Sequence, residues 1–272
     1  MGVSLIDTLV DRILFGEFMR NASSPTNVLR TPCAVGWAPN RGGWRYMSMK
    51  YPHGFSIDRK AWDWTVTEWL VEMWEQFILN LHPSHPIWWR ECVRMRFTNL
   101  FYTSRFSFPD GLLVQQQEPG IMKSGCLLTL VLNSVGQTIL HSLAQLRLKR
   151  DPFENIPLSM GDDTIQRPFD YVESYASELS KMALIKEAEL THGYCEFIGF
   201  CFTADGFFPA YWKKHLYQLR YLDPSVMRET LTSYQMLWYL VPSMLTHIRE
   251  ICWKINPDWV LTDVVLQSNA NR

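Results

Sequence analysis

The sequence predicts an α+β fold in which a small antiparallel sheet is covered by helices. Three observations predict it. Apolar residues recur at helical spacing over long stretches, most clearly through 61–81. Short extended runs bracket turn sequences, as 155–160 and 164–167 do around Gly161-Asp162-Asp163. The elements then follow in the order helix, strand, three helices, hairpin, helix, hairpin and helices.

Taken in order, residues 3–19 read as an amphipathic helix with Leu5, Leu9, Ile13 and Phe15 apolar and Asp7, Asp11 and Arg12 charged. Residues 20–54, rich in Pro, Gly, Asn and Ser, read as a flexible basic loop carrying Arg30, Arg41 and Arg45. A strand near 54–58 leads into a helix over 61–81, whose stripe of Trp62, Val66, Trp69, Met73, Phe77 and Leu81 is expected to be buried. Pro83 and Pro86 break it, and a second helix covers 87–99. Residues 102–120 read as extended, ending in a Pro119-Gly120 turn. A third long helix is expected over 124–147. The Gly161-Asp162-Asp163 hairpin, a helix over 171–184, strands near 194–202 and 206–209, and a mostly helical 211–255 complete the chain.

With 47% hydrophobic and 14% aromatic residues, 272 residues suffice for a sizeable core, and twelve tryptophans indicate dense packing in the middle of the chain. A net charge of −1 gives no support for nucleic-acid binding, although acidic catalytic residues would offset a local basic groove. The six cysteines form no C-x-x-C pair and read as free thiols of a reducing compartment. Cys195 and Cys201 lie near His192 and His215, but the spacing matches no common zinc pattern. No apolar run is long enough to span a membrane. The N-terminus carries Asp7 and Asp11 without a basic region, unlike a signal peptide, and Ile6 stands where a myristoylation signal wants Ser or Thr.

Gly161-Asp162-Asp163 alone is weak, since an exposed turn also favours Gly and Asp. Its flanks, Leu158 and Met160 before and Ile165 after, suggest a hairpin packed into a core with two carboxylates at its tip. Adjacent acids raise each other's pKa unless a cation lies between them, and magnesium takes such hard oxygen donors. Asp58 ends its strand where a third ligand would lie, with Asp63 five residues on. Taken by itself, Asp58 is at least as well explained as a helix N-cap or first-turn acid. Ser124-Gly125-x-x-x-Thr129-x-x-x-Asn133, extended by Gln137, places a polar stripe on an apolar helix. That stripe either reaches a ribose or bonds back to its own carbonyls.

In order and spacing, these segments resemble the palm motifs of viral RNA-dependent RNA polymerases. Asp58-x4-Asp63 resembles motif A, Ser124 to Asn133 motif B, and Gly161-Asp162-Asp163 motif C. Trp62-Asp63-Trp64 and the opening Val3 to Gly16 resemble the sobemovirus, polerovirus and sobemo-like branch of positive-strand RNA viruses. The likeness runs to about residue 220, with motif D near Lys186 and motif E near Glu196-Phe197-Ile198-Gly199. Lys60-Ala61 and Ile198-Gly199 depart from the branch's usual motif A and motif E.

The resemblance implies a right-hand polymerase palm with part of the fingers and a helical thumb. Residues 1–54 would be residual fingers with the palm entry helix and basic loop, 55–209 the palm with motifs A to E, and 210–272 a partial thumb. The N-terminal fingers with basic motif F would precede residue 1, making the chain a partial polymerase and Met1 an internal methionine. The implied activity is RNA-templated RNA synthesis, with nucleoside triphosphates, an RNA template and a primer or product strand as partners, alongside other viral replication proteins. Asp58, Asp162 and Asp163 would hold two Mg2+ ions, or Mn2+. Asp63 and Asn133 would read the ribose, supported by Ser124, Gly125 and Thr129. Lys186 would act as general acid toward pyrophosphate, or is simply a solvated surface lysine. Phe197 would grip the primer, and Lys213, Lys214 and Arg220 would meet backbone phosphates. The implied location is the host cytoplasm, at membrane-associated replication complexes through other proteins. A reverse transcriptase or unrelated magnesium phosphotransferase, and an inert fragment that binds only RNA or a partner, are the competing readings.

Overall fold

A computed structural model describes residues 2–81 and 84–271. In chain order the elements are α1 (Leu5–Ala22), α2 (Gly43–Lys50), β1 (His53–Arg59), α3 (Trp62–Thr65), α4 (Glu68–Asn80), α5 (Ile87–Phe101), β2 (Arg105–Ser107) and β3 (Leu113–Gln115). Then follow α6 (Thr129–Arg147), β4 (Leu158–Met160), β5 (Asp163–Gln166), α7 (Val172–Ser180), β6 (Ile185–His192), β7 (Cys195–Phe197), β8 (Phe200–Thr203) and β9 (Gly206–Pro209). Helices α8 (Trp212–Arg220), α9 (Met227–Leu237), α10 (Pro242–Ile255) and α11 (Asp263–Asn271) end the chain. The result is α+β with small sheets, as expected. One sheet has strand order β4-β5-β1-β6, so β1 lies between the Gly161 hairpin and β6. The others are the hairpin β2-β3 and the antiparallel meander β7-β8-β9.

Two compact units divide the chain. The first comprises Met1–Gly36, Ile57–Thr164 and Phe169–Ala188. Its core is helical: Trp74, Ile78, Phe97, Phe101 and Leu132 are almost fully enclosed. Gly136 on α6 makes the close approach to α4 possible, because a Cβ there would lie 3.1 Å from the Trp74 ring. The second unit comprises Trp37–Ser56, Ile165–Pro168 and Glu189–Arg272. There the meander is filled by Phe202 and Phe207, and a cluster of Leu231, Trp238, Ile248 and Cys252 joins the C-terminal helices.

Several elements depart from expectation. Helix α1 buries Phe15 and Asp11, while Leu5, Leu9 and Ile13 are exposed. Arg96 of α5 explains the inversion, since its Nε donates to Asp11 at 2.6 Å. The single helix expected over 61–81 is two, because the Val66 carbonyl accepts from Ile121 N instead of continuing the helix. The buried stripe of α4 is Leu70, Val71, Trp74 and Ile78, and Met73 and Leu81 are exposed. Trp62, Trp74 and Trp89 pack inside, whereas Trp64 and Trp88 do not. The basic loop contains α2: Gly42, at φ 82°, opens the helix, and Trp44 and Met47 bury it. Helix α6 starts at Thr129 rather than 124, after a turn over 124–127. Residues 194–202 are two strands reversing at Ile198-Gly199, both at positive φ. Strand β6 was not foreseen, since Ile-Lys-Glu-Ala-Glu-Leu is helix-forming locally and becomes a strand only by pairing with β1. Met1 and the break at Pro83 lie outside the described residues.

Candidate active site

All the groups of the candidate site belong to the first unit. Along β1, Phe55, Ile57 and Arg59 are buried. Strand alternation therefore turns Asp58 to the other face, where its side chain is 44% exposed. The hydroxyl of Thr164 on β5 donates to the Ile57 carbonyl at 3.3 Å, tying the hairpin to the end of β1. From β6, the Lys186 ammonium donates to Asp58 Oδ2 at 2.5 Å. That hydrogen bond, then the carboxylate charge, raises the Lys186 pKa.

The hairpin reverses at Gly161, whose φ of 70° is readily adopted only by glycine. Its carbonyl side leads to Asp162, half-buried, and Asp163, exposed at the start of β5. Burial pushes the Asp162 carboxyl above its ordinary value, although its own backbone N–H pulls it back. The negative charges of Asp63 and Asp58 push it further, and the Arg59 guanidinium opposes them. Three carboxylates from separate segments thus share one electrostatic neighbourhood.

The segment 122–129 supplies the second half. Met122 N–H donates to the Asp63 carbonyl at 2.7 Å, and the Ser124 hydroxyl donates to Asp63 Oδ2 at 2.5 Å. Thr129 does not face this pair: its hydroxyl is placed to donate to the Lys123 and Cys126 carbonyls, both at 2.8 Å, and so closes the loop on itself. Gly125 is exposed within that turn. Asn133 and Gln137 are buried on α6. Gln137 Oε1 accepts from Arg59 Nε at 3.0 Å. Asn133 Oδ1, Gln137 Nε2 and Arg59 Nη1 are buried with no hydrogen-bond partner among the described residues. Such orphaned groups are costly and mark places where a ligand or water completes the structure.

Three residues beside the candidate site were not foreseen. Arg59 lies behind Asp162, and burial lowers its pKa to about 10. Lys123 is buried beneath Ser124, and burial lowers its pKa to about 8. Its Nζ donates to Gln116 Oε1 at 2.5 Å and to the Ile121 carbonyl at 2.9 Å. Ser134 bonds the hairpin tip. A lysine just before Ser124-Gly125 and an arginine just after Asp58 were the available signals. Phe197, expected at the primer strand, is 2% exposed with its ring packed against Trp37 in the meander. Lys213, Lys214 and Arg220 are exposed on α8 beside the exposed Trp212, Tyr217 and Tyr221.

By residue type the candidate donors suit a hard divalent cation, although three of them are not gathered around one point. Asp58, Asp162 and Asp163 are all oxygen donors, and the crowding of charge on Asp162 is what a cation would relieve. Among the described residues, no group of three or more His, Cys, Asp or Glu side chains is gathered closely enough to hold an ion. Magnesium suits such a set, because it takes one or two carboxylates and fills its octahedron with water and substrate phosphate oxygens. The cysteines are free thiols. Among the described residues no helix is long and apolar enough to cross a membrane.

A family model described as viral RNA-dependent RNA polymerase matches residues 7–182. The chain is 27% identical over 209 residues to the replicase polyprotein P2AB of Cocksfoot mottle virus, across 73% of this chain and 21% of that protein. It is 28% identical over 190 residues to the P2AB polyprotein of Southern bean mosaic virus, across 60% of this chain and 16% of that protein. The chain thus spans about a fifth of the curated relatives it matches. Among solved structures, the insertion-loop deletion mutant of a human picorbirnavirus RNA-dependent RNA polymerase aligns over 95% of this chain and 53% of its own, with TM-score 0.70 and 15% identity. The Sicinivirus 3Dpol RNA-dependent RNA polymerase aligns over 94% and 59%, with TM-score 0.67 and 18% identity.

Proposed function

Because this chain belongs to the viral RNA-dependent RNA polymerase family, we propose that it carries the catalytic palm of an enzyme that joins nucleoside triphosphates to an RNA 3′ end under the direction of an RNA template. The observation that supports the reading is the Asp162 carboxyl, raised first by burial and then by the charges of Asp63 and Asp58. Asp58 and Asp162, far apart in sequence, feel one another's charge, and a purely structural hairpin turn needs no such crowding.

Asp58 and Asp162 would hold two magnesium ions, assisted by Asp163. Bound there, the metals would supply activation of the 3′-hydroxyl and neutralisation of the triphosphate, the work of a two-metal site. Lys186, already carrying a proton beside Asp58, would donate it to the leaving pyrophosphate. Asp63, held by Ser124, would read the 2′-hydroxyl, which both donates and accepts. The unpartnered Asn133 Oδ1 would accept from the sugar. Residues 55–209 would form the palm, with fingers remnants before it, and 210–272 a partial thumb whose Lys213 and Lys214 meet duplex phosphates.

The deciding experiment is single-nucleotide incorporation on a primed RNA template with magnesium, by the viral polymerase containing this sequence and by the 272-residue chain alone. Loss of incorporation in Asp162→Asn with an intact fold supports the reading, and undiminished incorporation ends it. Activity in the longer protein but not in the chain alone would identify the chain as an inert segment when isolated.

A further inference from the structure

We propose that Ser134, on the buried face of α6, is a positioning residue that fixes the backbone of the catalytic hairpin tip, an inference that rests on the polymerase reading of Asp162. Its Oγ accepts the Gly161 N–H at 3.0 Å, one residue before Asp162. The same hydroxyl donates to the Leu130 carbonyl at 2.8 Å, with the Ser159 carbonyl further off at 3.3 Å. Ser134 is 1% exposed, and Gly161 is also buried. The Gly161 amide therefore loses its protein partner if the hydroxyl is removed.

Two features make this bond decisive. Gly161 stands at φ 70° with no side chain, so nothing of its own packs the turn in place. A cavity of about 750 Å3, walled by Phe18, Phe77, Val131 and Ile139, lies against Ser134. Close packing, which elsewhere holds a core residue still, is thus missing on one side of Ser134. The hydrogen bonds carry the register between α6 and the tip. Because α6 also bears Asn133, one helix sets both the sugar-reading residue and the position of Asp162. A shift of about 1 Å at the reacting centre costs on the order of a hundredfold in rate.

Amide exchange at Gly161 by NMR in the 272-residue chain, with nucleotide incorporation by the viral polymerase containing it, tests the inference. Ser134→Ala should raise Gly161 exchange at least tenfold. It should lower kcat on the order of tenfold to a hundredfold while KM for the nucleotide changes less than threefold. Ser134→Thr keeps the hydroxyl, and the cavity gives its methyl group room, so both readouts should return to near wild type. Should the Ala variant not fold, Ser134→Cys, a weak acceptor of similar size, should show the same two changes in smaller measure. Unchanged Gly161 exchange in the variant overturns the proposal, as does faster exchange with undiminished kcat. If wild-type polymerase makes no RNA, the polymerase reading falls, and the exchange result alone still decides whether Ser134 holds the tip.

Discussion

The Lys186 ammonium lies 2.5 Å from the Asp58 carboxylate across 128 residues of sequence, joining the edge strand β6 to the end of β1. The pair is largely exposed, 62% for Lys186 and 44% for Asp58, so screening by solvent leaves it little structural weight. On the polymerase reading its value is chemical. Lys186→Ala should slow incorporation on the order of 10²–10⁴-fold, the usual loss for a general acid, with the melting temperature unchanged. Lys186→Arg keeps the ion pair but holds its proton too tightly to give it up, and should restore nucleotide KM without restoring kcat. Stopped-flow incorporation separates the two, and an Arg variant as fast as wild type would remove the acid role.

Asp162→Asn should abolish synthesis and at the same time raise thermal stability. The folded Asp162 pKa lies above its ordinary value through burial and through Asp63 and Asp58. A carboxyl raised in the folded state binds its proton more tightly there than in the unfolded chain. Its stabilising contribution is therefore present at low pH and lost as pH rises through the window above 3.8. An amide removes that loss. Thermal melts at pH 7 should show the variant melting higher, the signature of a residue kept for function at the expense of stability.

Much of this was readable from sequence, and the misses share a cause. That Ser124 lies against Asp63, and that Asp58 and Asp63 act on Asp162, agrees with the spacing of the motifs in the sequence. Thr129 was read as part of a polar stripe on the helix, whereas its hydroxyl closes the preceding loop. Arg59 and Ser134 were hidden because each is held by a partner distant in sequence, Gln137 and Gly161, and Lys123 because its partner Gln116 lies beyond the turn before it. Strand β6 was missed because its composition favours helix and only β1 makes it a strand.

Ser124→Ala should weaken discrimination between ribo- and deoxyribonucleotides. The Ser124 hydroxyl occupies one Asp63 oxygen at 2.5 Å and fixes the carboxylate's orientation. Losing one good hydrogen bond of about 1–3 kcal/mol corresponds to roughly tenfold or more in selectivity. Asp63→Ala should go further, and should cost more selectivity than kcat for ribonucleotides. Competition assays measuring the ratio of kcat/KM for the two sugars decide it. An unchanged ratio in both variants would take sugar reading away from this pair.

His141 should make the protein acid-sensitive. The ring is fully enclosed, with Nδ1 2.8 Å from the Tyr175 hydroxyl and Nε2 3.0 Å from the Glu154 carbonyl. A carbonyl only accepts, so Nε2 carries the proton and Nδ1 accepts from Tyr175. Burial depresses the pKa from 6.5 to about 4. The neutral form is thus favoured by folding: its stabilisation is present above 6.5 and is lost as pH falls toward 4. The full loss is on the order of 3 kcal/mol. Urea denaturation between pH 7 and pH 4 should show this decline. His141→Gln should be less stable at pH 7 but flatter across that range.

The buried pair of Asp11 and Arg96 should behave unlike any apolar contact expected of α1. Asp11 is 0% and Arg96 6% exposed, with Nε to Oδ1 at 2.6 Å and Nη2 to Oδ2 at 3.2 Å. Asp7 adds a contact to the same guanidinium, and the Cys126 thiol lies 3.7 Å from Asp11. Desolvating two charges costs nearly what their attraction returns, but deleting one leaves the other buried and unpaired. Asp11→Leu should therefore cost about 3–5 kcal/mol, whereas Asp7→Asn, at a 41% exposed side chain, should cost far less. The double variant Asp11→Leu, Arg96→Met removes both charges and should regain most of the loss. Chemical denaturation of Asp11→Leu, Arg96→Met and the double variant against wild type forms the cycle. Equal losses in the single and double variants would mean that shape, and not charge pairing, seats α1.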